Sequence, residues 1–168
     1  RTGAWAIEAL GAIPVATPVP ELPQALARGT VDAAIIPFEI IPPLQLQEQT
    51  RYQIEGAGGM RFGTALFHVS MNADRWNALP AEIREVFAAE TGRDWWGEAG
   101  AIWEATEAWG IGVATAAGNE HVVLTVAETD AFLAALAPVV DRWTSDVAGQ
   151  GIDGAALAAR ARELVAQN

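Results

Sequence analysis

The chain has 168 residues, 51% of them hydrophobic, with seven Trp, no Cys and a formal charge of −11 in which all ten cations are Arg. That length and composition suit a folded domain with a real core rather than a disordered chain. They exclude disulfides, thiolate chemistry and Cys-based metal centres, and the acidic balance argues against nucleic acid as a partner.

Taken in order, Arg1 to Leu10 sets Trp5, Ile7 and Leu10 among alanines, a short helix that Gly11 can end. Ile13 to Thr17 reads as a short strand. Pro20 suits a first helical turn, Leu22, Ala25 and Leu26 recur at helical spacing, and Gly29 stands where a left-handed cap is needed. Val31 to Ile36 is an almost unbroken apolar run, expected as a strand covered on both faces, and Pro37 ends it. In open α/β sheets ligands gather beyond the carboxyl ends of the strands, so Ile36 to Pro43 is the first place to seek a binding surface. Phe38 and Glu39 stand there. Chemistry alone leaves two readings open: ligand contacts, or a core Phe38 with Glu39 turned to water.

Leu44 to Thr50 is polar, a short helix or loop, and Tyr52 to Glu55 is a brief strand. The GAGGMR run departs from a dinucleotide fingerprint at Arg61, so it is not read as a phosphate cradle. Arg61 to Asn72 alternates as a long strand, with Phe62 and Thr64 on its mixed face as candidate pocket residues. Asn72 or Asp74 can cap a helix, and Pro80 with Glu82 marks another start. From there to about Gly118 the pattern is helical, with a kink or break expected near Gly92, Gly97 and Gly100. His121 to Val126 is a strand, Thr125 with Glu128 forms a capping box, and Phe132, Leu133, Leu136, Val140, Trp143 and Val147 share one face of the helix that follows. Asp153 begins a last helix.

As an enzyme the chain is poorly equipped: two His, two Ser, one Tyr and no Lys or Cys leave few nucleophile and base pairs to build. His68 and His121 fall on separate expected strands without ligand spacing. Neither a metal nor another cofactor is expected.

Three segments, GAIPV, PVPELPQALARGTVDAAIIPFE and HVSMNADRWNALPAEIREVF, carry a family resemblance in their order and spacing. A Gly-Ala-x-Pro turn, an acidic helix with Ala-Leu near a Gly, a Val-Asp pair opening a strand, then Asn, Trp and Leu-Pro before a long helix resemble the periplasmic solute-binding subunits of TRAP transporters, the DctP-type family. The resemblance runs from Gly11 to about Gln167. It implies an α/β, periplasmic-binding-protein-like lobe of type II with a mixed sheet, a long helix and C-terminal helices. It also implies that the chain is the second half of a two-lobe protein whose N-terminal half is missing here, with residues 1–60 as an α/β unit of the second lobe and residues 61–168 as hinge strand, long helix and C-terminal helices. The function implied is capture of an organic acid in the periplasm and its delivery to TRAP membrane subunits.

The resemblance implies site residues as well. Members grip the ligand carboxylate with an Arg whose planar fork makes two charge-assisted bonds. Arg1 is that residue if a few positions are deleted before Gly11; otherwise the gripping Arg lies in the missing half. Val19 and Ile36 stand where members place ligand-contacting aromatic and Asn side chains, so the site is expected to be more apolar than in members that take sugar acids. Ile35 and Ile36 replace the Glu-Trp pair through which some members contact a bridging metal, and no such metal is expected. The ligand-binding candidates are therefore Arg1, Val19, Ile36, Phe38, Phe62 and Thr64. The rival reading is an independent small α/β enzyme or regulatory ligand-binding domain.

Overall fold

The computed structural model describes residues 1–63 and 67–166 and divides the chain into two compact units. The first unit comprises Arg1–Asp32, Ile54–Gly63 and Val123–Asn168; the second comprises Ala33–Gln53 and Thr64–Val122.

The first unit holds helices α1 (Thr2–Ala9), α2 (Leu22–Ala27), α6 (Val126–Ala148) and α7 (Gly154–Ala166). α6 is the element on which α1 and α7 pack. Its start is the capping box expected from sequence: the Thr125 hydroxyl accepts from the Glu128 amide at 3.3 Å, and the Glu128 carboxylate accepts from the Thr125 amide at 2.9 Å. One turn on, Thr129 is buried and joins the helix to the Gly-rich bend, accepting from the Ala57 amide at 2.8 Å while donating to the Thr125 carbonyl. Gly154 opens α7 against Thr144 and Val147, where a Cβ would stand 2.8 Å from the Val147 side chain. Gly29 closes α2 at φ +66°, the left-handed cap its position called for.

The second unit is built on α5 (Arg93–Ala116), preceded by α3 (Ala73–Asn77) and α4 (Ala81–Glu90). Asn72 caps α3 by accepting from the Asp74 and Arg75 amides. The break expected among three glycines falls at Thr91–Gly92, while Gly97 and Gly100 lie inside a continuous helix. Two 3-10 turns, Phe38–Ile40 and Leu46–Glu48, pack on α5. The unit's apolar centre is Phe38, Ile41, Leu46 and Ala114, all buried.

Two strands, β1 (Tyr52–Glu55) and β2 (Glu120–Val123), form a two-stranded sheet. The Glu120 amide bonds the Arg51 carbonyl and the Leu124 amide bonds the Glu55 carbonyl, so both strands advance in the same direction. A parallel pair needs a long crossover, and the segment carrying α3 to α5 supplies it. Asn119, just before β2, accepts from Gln53 at 2.9 Å and donates to the Gln47 carbonyl at 3.0 Å, which ties the strand entry to the loop before β1.

Three expected strands are not formed among the described residues. Ile13 to Thr17, Val31 to Ile36 and the described parts of Arg61 to Asn72 carry no strand assignment. Their apolar patterning is that of strands, but a strand needs a neighbouring ladder, and among the described residues none of these segments has one. Ile13 is accordingly 88% exposed and Val69 77%.

Candidate functional site

The long helix α5 turns one face to the segment that leaves Ile36. Trp103, Glu107, Gly110 and Ala114 recur at i, i+4, i+7 and i+11, which stacks them in a single stripe. Gly110 and Ala114 are buried, and their small size lets backbone approach the helix: a Cβ on Gly110 would run into the Phe38 carbonyl. Gly112, two residues on, faces open space.

The first amides of any helical turn lack partners within it. At the Phe38–Ile40 turn Glu107 supplies one from outside, its Oε1 accepting from the Phe38 amide at 2.8 Å and from the Glu39 amide at 3.4 Å. The turn then closes on itself, with the Ile40 amide donating to the Pro37 carbonyl and the Ile41 amide to the Phe38 carbonyl. The Phe38 ring is buried, 7% exposed, and meets the His121 imidazole edge-on at 6.2 Å.

Glu39 is half-buried. The Trp103 indole N–H donates to its Oε1 at 3.1 Å, and its Oε2 is shut off from solvent without a hydrogen-bond partner. Burial is the main cause that raises the Glu39 carboxyl above its ordinary value; a hydrogen bond to the Glu107 side chain and that group's charge add to the rise, while the Glu39 amide and Trp103 oppose it.

The sequence candidates distribute as follows. Ile36 and Phe38 belong to the second unit, Ile36 half-buried and Phe38 buried beneath it in the chain, so Ile36 and the 48%-exposed Ile35 carry the open apolar surface there. Arg1, Val19 and Phe62 belong to the first unit. Arg1 bonds Asp146 of α6 at 2.8 Å and lies 5.6 Å over Trp5, Val19 is 48% exposed at the head of α2, and the Phe62 ring stacks on Phe132 at 4.7 Å. Thr64 lies outside the described residues. Among the described residues there is no cluster of three His, Asp or Glu able to hold a metal ion, and His68 is exposed.

Glu107 and Gly110 escaped sequence reasoning because a Glu in a Glu-rich helix reads as a solvated charge. The signal that could have found them is the stripe itself, where two small residues one turn apart mark a close approach of backbone.

Residues 2–146 match the family DctP, described as bacterial extracellular solute-binding protein, family 7. A TRAP solute-binding protein from Rhodoferax ferrireducens, solved with copurified benzoate, is 34% identical over 99% of this chain and superposes with a TM-score of 0.90. A marine metagenome TRAP solute-binding protein specific for aromatic acid ligands, solved with metahydroxyphenylacetate, is 26% identical over 99% of this chain with a TM-score of 0.87. One from Bordetella bronchiseptica, with bound (R)- and (S)-mandelate, is 25% identical over 91% of this chain with a TM-score of 0.71. This chain spans 52%, 52% and 48% of those three chains, about half of each. Its α/β fold is that of the TRAP periplasmic binding proteins, and the chain belongs to the DctP family of bacterial extracellular solute-binding proteins.

Proposed function

We propose that this chain is part of an extracytoplasmic receptor of the TRAP type, working in the periplasm, and that its ligand is an aromatic monocarboxylate. The observation that carries the reading is the likeness to the benzoate-bound protein, at 34% identity along 99% of the chain. The chemistry of the segment ending at Ile36 supports it. Ile35 and Ile36 offer methyl groups and no hydrogen-bonding side chain, so a ring loses nothing by burial there, whereas the hydroxyls of a sugar acid would go unmatched. Phe38 serves this surface from beneath, as the buried anchor of the turn.

The covering polypeptide is, on this reading, the remainder of the same protein. The chain exposes 11920 Å². A self-contained domain of 17.7 kDa would expose about 8,000 Å², and even two wholly separate domains of half that mass about 9,600 Å². The excess includes Ile13, Val15 and Ile35, which are expected to gain ladder partners and cover in the intact receptor. Closure of such a receptor would take the carboxylate out of water and strengthen its bonds to Arg, before delivery to the membrane subunits.

Melting of the intact protein against benzoate, 3-hydroxybenzoate, mandelate and glucuronate tests the reading. Saturation at a hundredfold over Kd stabilises by about 2.7 kcal/mol. An aromatic acid should give that rise and glucuronate should not; a rise with glucuronate alone contradicts the proposal.

A further inference from the structure

We infer that Glu107 is a positioning residue for the ligand-facing segment, holding the Phe38–Ile40 turn by its backbone amides. The inference rests on the reading that the segment ending at Ile36 faces the ligand. Its basis is geometric. Pro37 follows Ile36 directly, its carbonyl accepts from Ile40 within the turn, and the turn's two leading amides both point at Glu107 Oε1, at 2.8 and 3.4 Å. Whatever fixes this turn on α5 therefore fixes where Ile36 stands.

The same helix holds the turn at a second point: the Trp103 indole N–H, one turn before Glu107, donates to Glu39 Oε1 at 3.1 Å.

The test uses the intact protein, with benzoate as probe, by calorimetry and by melting. Glu107→Ala should weaken benzoate by tenfold or more, and Glu107→Gln, whose amide oxygen can still accept from Phe38, should restore it to within about threefold. Wild-type protein that binds none of the aromatic acids would sink the ligand reading and this inference with it. Benzoate bound by wild type and equally by Glu107→Ala, or a loss in Glu107→Ala that Glu107→Gln does not recover, would overturn the inference while leaving the ligand reading standing.

Discussion

Charged side chains hold one segment on another in both units, and two of these places differ in burial. In the second unit Glu107 accepts from two backbone amides beneath a buried Phe38. In the first unit α1 meets α6 through Arg142–Glu8 at 2.7 Å and Arg1–Asp146 at 2.8 Å, with the Arg142 guanidinium 4.3 Å over Trp5. Those ion pairs are largely exposed, with Arg1 at 69% and Arg142 at 54%. Exposed pairs contribute about 0–1 kcal/mol, whereas a hydrogen bond to a charged group away from water contributes about 1.5–3 kcal/mol. The turn on α5 should therefore be the better determined of the two, and salt should touch only the other.

The comparison breaks most visibly at Gly110. Gly110→Ala must push the Phe38 carbonyl away, and overpacking of this kind costs about 1–3 kcal/mol, more than the ~1 kcal/mol that Ala gains in a helix interior. Gly112→Ala, facing open space on the same helix, should instead stabilise by about 0.5–1 kcal/mol. Paired melting curves of the two variants check the opposite signs, and equal shifts would mean that α5 does not lie on the turn as described.

Glu107→Ala strands two amides and should lower stability by about 2–3 kcal/mol in a denaturant titration. Thr125→Ala, which removes the cap of α6, should remove about 1 kcal/mol. The side-chain and backbone hydrogen bonds from Thr125 hold the Glu128 carboxyl below its ordinary value. Its stabilising contribution is present above that ordinary range and fades as pH falls through the folded-state value, so the Thr125→Ala deficit should shrink in acid. The smallest effect belongs to Arg142→Ala, about 0.5–1 kcal/mol from the ring contact and the exposed pair together, and 0.5 M salt should narrow it.

What was legible in the sequence is what local chemistry decides. Thr125 and Glu128 at capping-box spacing, Gly29 at a left-handed cap and the short strand at Tyr52 stand where their residue types placed them, whereas the strand expected over His121 to Val126 runs Glu120–Val123 because α6 already begins at Val126. The elements that failed depend on partners distant in sequence. Ile13 to Thr17 and Val31 to Ile36 have strand composition, yet composition does not supply the adjoining ladder. Gly97 and Gly100 weaken a helix by propensity alone, and α5 continues through both. At the candidate site Phe38 and Ile36 could be named from the end of an apolar run. Glu39 was open between ligand and water, and neither reading foresaw that its carboxylate would accept from Trp103 and its amide donate to Glu107, both on another element.

The central claim is that an aromatic carboxylate is the ligand of the receptor to which this chain belongs. Calorimetry of the intact protein with benzoate and, separately, glucuronate tests it most directly. The expected result is benzoate capture at micromolar Kd or tighter, about 8 kcal/mol, with a negative heat-capacity change from the buried ring and no measurable heat with glucuronate. Tight glucuronate binding with none for benzoate would contradict it.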